Sequence, residues 1–246
     1  MIEFINYQEQ NGVLTISLNR TDKKNALDTD MYNELCRLFT YANQSDQIRC
    51  LLIQGDENCF CAGNDLKDFI TSANNNEELA AFRFIQALCQ SKKPLVAAVA
   101  GPAIGIGTTM LLHCDMVLAA TNSNFSLPFS HIGICLEAGA SVLLPLKVGN
   151  NRAFELGVLG SSFDAEKAYQ YGIVNQVCQP SELLATASQL AMKIAKMPAD
   201  SVCTSRKLLR NATDNLLEEV VENERKEVMR LLKTDYCQSA VASLLS

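Results

Sequence analysis

The chain has 246 residues, of which 48% are hydrophobic and 20% charged, and its formal net charge at pH 7 is −6. This length and composition predict a globular protein with one substantial core, alone or with a smaller appendage, and exclude a disordered chain. The acidic net charge argues against nucleic acid as a partner, because a phosphate backbone requires a basic protein face.

Signals for location and metal binding are few. Residues 1–9 lack the basic start and apolar run of a signal peptide, so we expect a cytoplasmic protein. The ten cysteines contain no C-x-x-C pair and are interpreted as reduced, mostly buried thiols. With only two histidines, a histidine-rich metal site is excluded, and we predict no metal. Residues 94–112 are uncharged but glycine-interrupted, which favours strand, loop and buried helix over a membrane span.

The first half of the chain alternates predicted strands and helices. A hairpin with its turn at Asn11-Gly12 comes first, and a helix capped by Asp28 or Thr29 follows it. Such alternation indicates a mainly parallel sheet covered by helices. The further predicted elements are strands at 2–8, 13–18, 50–54, 95–99 and 116–120, and helices at 77–90 and 107–114.

From Glu137 onward the pattern becomes helical. Asp164 is predicted to cap a helix that Gly172 ends, a strand follows at 173–177, and only helices follow Pro180. We place a soft boundary near residue 190, between an α/β core of 1–190 and a helical oligomerisation region of 191–246. The last predicted helix, 215–233, carries an apolar stripe that can cover the chain's own body or a neighbour's. Its members are Leu217, Val220, Val221, Val228 and Leu232.

Two loops each follow a predicted strand and open a predicted helix, at residues 59–66 and 101–107. Ligands of open parallel sheets gather beyond the carboxyl ends of strands, where helix N-termini offer unpaired N–H groups. Two such loops can aim two N–H groups at one oxygen, which is how an oxyanion hole is built. Either loop alone is more simply an ordinary glycine turn.

In this order and at this spacing, the loops resemble those of the crotonase (enoyl-CoA hydratase/isomerase) superfamily. The resemblance covers the chain to about residue 180, and the tail more loosely. It includes Asn25-Ala26-Leu27, the Phe-x-Ala-Gly-x-Asp segment at 60–65, and Cys114-Asp115 downstream of the second loop. It implies an α/β, crotonase-like spiral of ββα units with a helical C-terminal region, assembled as a homotrimer or hexamer. Fatty-acid metabolism is also implied, with coenzyme A as part of the substrate and no separate cofactor.

The resemblance assigns expected roles to individual residues. The thioester carbonyl would accept hydrogen bonds from the backbone N–H groups of Asn64 and Ile106. Because Ile106 stands where the family often has glycine, its side chain is expected to point away from the acyl group. Asp65 is interpreted as a helix cap. The positions matched to coenzyme A are Lys24, Ala26, Ala62 and Lys67. Without the resemblance, the lysines would be solvated surface residues and Ala62 an ordinary loop residue.

The family's hydratases use two glutamates, at positions that match Thr109 and Phe129 here. Because both carboxylates are missing, we expect no ordinary hydratase chemistry. Glu137 remains, and its residue type alone leaves a catalyst and a first-turn helix carboxylate equally open. The segment 128–133 followed by Glu137 is similar to the Δ3,Δ2-enoyl-CoA isomerase branch. That similarity implies a glutamate that shuttles one proton between C2 and C4.

We therefore predict an isomerase that moves a double bond from C3 to C2 of an enoyl-CoA thioester, with Glu137 as the only acid/base. One alternative is a hydratase that uses Glu137 and an ordered water, and another is an acyl-CoA-binding protein without turnover. A serine hydrolase built on Ser130-His131 is a third, although the sequence has no G-x-S-x-G elbow. Neither nucleic acid nor membrane is expected as a partner.

Overall fold

The protein's structure, a computed structural model, describes residues 4–74 and 79–245. Its strands are β1 Ile5–Gln10, β2 Val13–Leu18, β3 Cys50–Gln54, β4 Leu95–Val99, β5 Pro102–Ile104, β6 Met116–Ala120, β7 Asn124–Ser126, β8 Phe163–Asp164 and β9 Gln176–Cys178. Its helices are α1 Thr29–Gln44, α2 Leu66–Asn74, α3 Ala80–Cys89, α4 Ile106–Thr109, α5 Ala140–Val148, α6 Asn150–Gly157, α7 Ala165–Gln170, α8 Pro180–Ala195, α9 Ala199–Leu231 and α10 Asp235–Leu245. Short 3-10 helices lie at Thr21–Lys23, Met110–His113 and Phe129–Ile132.

Six strands form the main sheet, in the order β1-β2-β3-β4-β6-β9. Only β1 and β2 are antiparallel, and Asn11 and Gly12 join them with φ angles of 53° and 79°. Positive φ at both turn residues is the reason for an Asn-Gly pair in a tight hairpin. Strands β3 and β4 are apolar runs buried on both faces, because helices cover the parallel part of the sheet. The predicted mixed α/β sheet is confirmed.

A second sheet of three short strands, in the order β5-β7-β8, lies beside the loops that follow the main strands. Strand β5 runs parallel to β7, and the Gly105 N–H beyond β5 donates to the Ser126 carbonyl at 3.0 Å. The chain from 101 to 105 is therefore held along its length before α4 begins. This support positions the second of the two predicted loops.

Helix α8 covers one face of the main sheet. Its residues Ala187, Ala191 and Ala195 lie one turn apart and are buried with sheet residues such as Leu52 and Val96 in a second, smaller core. Alanine at this spacing allows the helix axis to approach the sheet closely. The predicted boundary near residue 190 lies within this continuous helix, and the division into two regions stays a prediction.

Three predicted elements differ in extent from the observed ones. The strand predicted at 173–177 is limited to β9, because the Ile173 and Val174 N–H groups both donate to the Ala168 carbonyl and close the end of α7. The helix predicted at 107–114 is α4 followed by a 3-10 turn. The last long helix begins at Ala199, directly after Pro198, rather than at 215. Its first half is mostly exposed and carries no apolar stripe for sequence analysis to detect. The starts of the predicted elements at 2–8 and 77–90 lie outside the described residues.

The apolar stripe of α9 covers the chain's own body. Leu217, Val221, Val228 and Leu232 are buried in the main core, and Val220 is half-buried. A Cβ atom built on Gly139 would lie 2.5 Å from the Leu217 Cδ1 atom, so this helix packs directly against the residues that precede α5. Of the two roles predicted for the stripe, docking within the subunit is the one observed.

We predict that the protein is a trimer or hexamer in solution. Leu146, Phe154 and Leu159, on and just after α5 and α6, are 65%, 58% and 58% exposed, and exposed large apolar side chains of this kind are typical of protein interfaces. Multi-angle light scattering at micromolar concentration checks this. A stable monomer would contradict the prediction of an oligomer without affecting the site within one chain.

No helix within 4–74 and 79–245 combines the length and apolarity needed to cross a bilayer. In the same part of the chain, no group of three or more His, Cys, Asp or Glu side chains is arranged to hold a metal ion. All ten cysteines are free thiols.

Candidate active site

The two predicted loops meet through their backbones. The Cys61 N–H donates to the Pro102 carbonyl and the Ile104 N–H donates to the Cys61 carbonyl, both at 3.0 Å. A glycine allows this contact, because a Cβ atom on Gly107 would lie 2.5 Å from the Cys61 carbonyl oxygen. Gly63 allows a second close approach between the loops, because a Cβ atom on Gly63 would lie 3.0 Å from the Ile104 carbonyl oxygen. The structure thus brings the two loops together at the ends of β3 and β4.

In each loop, the backbone N–H group predicted to face the thioester carbonyl has no acceptor among the described residues. On the first, the Gly63 carbonyl and the Asp65 N–H both bond Leu27 at 2.8 Å, and the Asn64 N–H between them has no acceptor among the described residues. On the second, Ile106 is the first residue of α4, and its N–H has no partner in that part of the chain either. The Ile106 side chain is fully buried in the main core, and its expected direction away from the acyl group stays a prediction.

Glu137 lies in a buried turn between the 3-10 helix at Phe129–Ile132 and α5. Its side chain is almost fully buried, and its Oε1 atom accepts a hydrogen bond of 2.7 Å from the Thr109 hydroxyl. Burial raises the pKa of Glu137 to about 8, the charge of Glu224 adds to the increase, and the Thr109 bond opposes it. A carboxyl with such a pKa can both accept and return a proton near neutral pH.

The turn around Glu137 has a strained backbone and is stabilised by a hydrogen bond from a side chain elsewhere in the chain. Ala138 and Gly139 have φ angles of 60° and 72°, and a left-handed conformation costs an alanine roughly 1–2 kcal/mol. The buried His113 side chain places its Nε2 atom 2.6 Å from the Ala138 carbonyl oxygen, to which Nε2–H donates. Burial lowers the pKa of His113 to about 4, so the ring is neutral at pH 7. Sequence analysis assigned no role to His113, and only the fold shows this contact.

Tyr32 is a further polar group that sequence analysis did not single out. It lies on the buried face of α1, and its hydroxyl donates to the side-chain oxygen of Asn64. Burial, with a contribution from the charge of Glu137, raises the pKa of Tyr32 well above its ordinary value. The phenol therefore stays protonated and acts as a donor beside the first loop. A tyrosine on a mainly apolar helix face was the available signal.

The residues matched to coenzyme A lie along the edge of the first loop. The Ala62 N–H donates to the Lys24 carbonyl at 2.9 Å, and Ala26 precedes Leu27, which bonds Gly63. Lys24 is exposed, and Lys67 is exposed on the first turn of α2. Their roles in ligand binding stay predictions.

Asp65 has a structural position. Its Oδ1 atom accepts from the Asp68 N–H at 3.2 Å, which caps α2, and its Oδ2 atom pairs with the Arg20 guanidinium at 2.9 Å. Arg20 also donates to the Ala26 carbonyl at 3.0 Å and so ties the segment before α1 to the first loop. The geometry is that of a helix cap, in agreement with the interpretation from sequence.

Residues 8–244, almost the whole chain, match the family described as enoyl-CoA hydratase/isomerase. The chain belongs to this family. The predicted crotonase superfamily is confirmed, and the assignment of the Asn64 and Ile106 N–H groups to an oxyanion hole stays a prediction. Hydratase/isomerase chemistry on coenzyme A thioesters follows from membership.

Individual relatives of this family member are similar over most of its length. The 1,2-epoxyphenylacetyl-CoA isomerase of Escherichia coli K12 is 34% identical over 232 residues, which cover 92% of this chain and 88% of that protein. Enoyl-CoA delta isomerase 2 of Rattus norvegicus is 30% identical over 243 residues, which cover 96% of this chain but 62% of the rat protein. The crystal structure of an enoyl-CoA hydratase/isomerase from Pseudoalteromonas atlantica T6c is 36% identical, with a TM-score of 0.94 over 99% of this chain and 97% of the other. The predicted crotonase-like α/β fold with a helical C-terminal region is confirmed.

Replacing Lys67 by Ala should weaken coenzyme A binding by about 1.5- to 5-fold at low salt, the range typical of an exposed ion pair. The effect should fade with added salt, because exposed charges are screened over ~8 Å near physiological ionic strength. Isothermal titration calorimetry at two salt concentrations measures it. Lys193→Ala, which removes an exposed lysine from α8, is the matched control. Equal dissociation constants for wild type and Lys67→Ala at low salt would remove Lys67 from the site.

Replacing Tyr32 by Phe should lower turnover of an enoyl-CoA thioester by roughly 2- to 12-fold, the value of one ordinary hydrogen bond. The substitution leaves the Asn64 side-chain oxygen without its donor and loosens the loop that carries the Asn64 N–H. Steady-state kinetics and thermal unfolding measure the two effects separately. Tyr169→Phe on the exposed side of α7 is the control, and unchanged kcat in Tyr32→Phe would contradict the role.

Proposed function

We propose that this protein moves the double bond of an enoyl-CoA thioester from C3 to C2, with Glu137 as the only acid/base. The observation that carries the proposal is the environment of Glu137, a buried carboxyl whose pKa is raised to about 8 and whose hydrogen-bond donor is Thr109. Thr109 and Phe129 stand where the family's hydratases have their glutamates. The site therefore offers one proton carrier in place of the two that water addition uses.

In the proposed reaction, the thioester carbonyl accepts hydrogen bonds from the Asn64 and Ile106 N–H groups. The Glu137 carboxylate removes a proton from C2, and the electron pair of the broken C–H bond moves toward the carbonyl oxygen to give a dienolate. Glu137 then returns the proton to C4, which leaves the double bond between C2 and C3. Each N–H donor aimed at such an oxyanion contributes about 10²–10³ in rate.

Thr109 and Phe129 favour isomerisation for separate reasons. The Thr109 hydroxyl occupies only Oε1 of Glu137, and Oε2 has no protein partner within the described residues, so one carboxyl oxygen is available to the substrate. The buried Phe129 ring lies 3.7 Å from the position of a Cβ atom on Gly105, next to the second loop. An apolar ring there cannot hold or activate a water molecule.

The names of two relatives support isomerase chemistry on coenzyme A thioesters. The Escherichia coli and rat proteins that match this chain are both called isomerases of coenzyme A thioesters. Coenzyme A enters and leaves as part of the substrate, so the proposed reaction uses no separate cofactor. We also propose a place in fatty-acid metabolism, since 3-enoyl-CoA thioesters arise there.

The test follows three reactions side by side with purified protein: conversion of 3-enoyl-CoA, hydration of 2-enoyl-CoA and release of free thiol. The proposal expects rapid conversion of 3-enoyl-CoA with little hydration and no thiol release. Hydration at the faster rate would assign the protein as a hydratase, and thiol release would indicate a hydrolase. Tight thioester binding without any turnover would leave only a binding protein.

A further inference from the structure

Glu224 of α9 is a buried carboxylate that reaches across the fold to the turn of Glu137. It accepts a hydrogen bond of 2.6 Å from the Gly139 N–H, and bonds of 2.9 and 2.6 Å from the Ser141 N–H and hydroxyl. Burial raises the pKa of Glu224 above its ordinary value, and the hydrogen bonds from Ser141 and Gly139, which reach both carboxylate oxygens, oppose this increase and favour the ionised form. These N–H groups begin α5, where a helix has no internal acceptors for them.

The turn depends on Glu224 because its own sequence supplies no cap. Gly139, at the N-cap position of α5, has no side chain, and the preceding Ala138 is held in a left-handed conformation. Thr109 and His113 contact the turn from the α/β core, whereas Glu224 contacts it from the C-terminal helical region. Leu217, two turns earlier on α9, packs on Gly139 beside this carboxylate.

We propose that Glu224 is a positioning residue for the reaction: its carboxylate fixes the turn of residues 137–141 and thereby sets the place and the acidity of the Glu137 carboxyl. The inference rests on the proposed function in that it takes Glu137 as the acid/base. It assigns to α9 a part in the chemistry beyond its packing against the core.

The charges around Glu137 make Glu224 the group that tunes it. Glu137 accepts a hydrogen bond from the Thr109 hydroxyl of α4. Tyr32 of α1, whose pKa the charge of Glu137 helps to raise, is protonated and uncharged. His113, from the 3-10 helix before β6, is neutral and bonds the adjacent Ala138 carbonyl. Glu224 supplies the negative charge that adds to the effect of burial on the pKa of Glu137. A like charge nearby favours the protonated carboxyl, so its removal favours the ionised form.

The test compares Glu224→Gln with Ser141→Ala and with Glu219→Gln, which removes an exposed charge from the same helix. Glutamine keeps the length of the side chain but removes the charge and can accept from one N–H group in place of two. In Glu224→Gln, kcat for 3-enoyl-CoA should fall by about 10-fold or more, since small displacements of a catalytic group can cost up to ~10²-fold. Ser141→Ala should give a smaller loss, and Glu219→Gln none.

The pH dependence separates positioning from a merely structural role. In Glu224→Gln the midpoint of the kcat/KM profile should move to lower pH, with KM for the thioester little changed. A loss of thermal stability with an unmoved pH midpoint would overturn the proposal, because it would show a helix cap without influence on Glu137. An unchanged kcat would overturn it as well.

A direct titration keeps this inference distinct from the proposed function. Carbon-13 NMR of labelled glutamate carboxyls follows Glu137 without turnover, with its signal identified by its loss in Glu137→Gln. If the wild type lacks isomerase activity while the Glu137 signal still titrates at lower pH in Glu224→Gln, the proposed function fails and the coupling stands. If isomerase activity is present and the signal does not move, the coupling fails and the proposed function stands.

Discussion

Glu137→Gln is expected to lower isomerase turnover by about 10²–10⁴-fold, the usual contribution of general acid–base catalysis, with thioester binding nearly unchanged. Glutamine keeps the shape of the side chain and still accepts the hydrogen bond from Thr109, but it cannot carry a proton from C2 to C4. Single-turnover kinetics with 3-enoyl-CoA and a separate binding titration measure the two quantities. Full isomerase activity in the variant would refute the assignment of Glu137.

The pH dependence of the wild type follows from the same carboxyl. Because the pKa of Glu137 is raised to about 8, the proton-accepting form is the minor one below that pH. We expect kcat/KM to rise with pH and to level off above about pH 8. A profile that is flat from pH 6 to 9 would contradict a buried carboxyl as the base.

Glu137→Gln should also stabilise the folded protein at neutral and higher pH. An unfolded glutamate titrates near ~4.3, whereas Glu137 titrates at about 8 in the fold, so between these values the folded chain holds the extra proton. Stability therefore falls as the pH rises through this window. Glu137→Gln lacks this loss, and the difference in melting temperature from wild type should grow from pH 5 to pH 8.

Gly107→Ala should reduce turnover by about 10²–10³-fold, the loss expected when one oxyanion donor is misplaced. The added Cβ atom would lie 2.5 Å from the Cys61 carbonyl oxygen, so the two loops must separate. Alanine is the better helix former by about 1 kcal/mol, so any loss of activity arises from this steric contact and not from a weakened α4.

The control for this variant is Gly172→Ala, where the added Cβ atom meets open space but the φ angle is 73°. That change should cost some stability through backbone strain and leave turnover unaltered. Circular dichroism and thermal unfolding establish that both variants fold. Turnover of folded Gly107→Ala within twofold of wild type would show that contact between the loops does not position the N–H donors.

The parts of the site with local signals were predictable from sequence. Glycines and a following helix marked both loops, and a hydrophobic run before each marked the strand that positions it. Glu137 stood out because it is acidic within an apolar segment. The sequence showed only that Thr109 stands where the family's hydratases have a glutamate. Its hydrogen bond to Glu137 joins residues 28 positions apart and could not be predicted from the sequence.

The supporting residues could not be predicted for the same reason. His113 contacts Ala138 from 25 residues away, and Glu224 contacts Gly139 from 85. Both lie in helical segments where a buried polar residue resembles a surface one until the packing partner is known. The early start of α9 was missed because an exposed helix has little apolar periodicity.

Gly139 and Glu224 are 85 residues apart in the sequence, so the ribosome adds them at different times. At ~5–20 residues per second, translation adds Glu224 roughly 4–17 s after Gly139. During that interval the loops at 59–66 and 101–107 have already been synthesised, but the turn of Glu137 still lacks the Glu224 carboxylate, and for most of the interval the Leu217 side chain, that fix it. If Glu137 is the base, as proposed, it is the last part of the site to be set in place, and we expect a nascent chain to begin catalysis only when α9 docks.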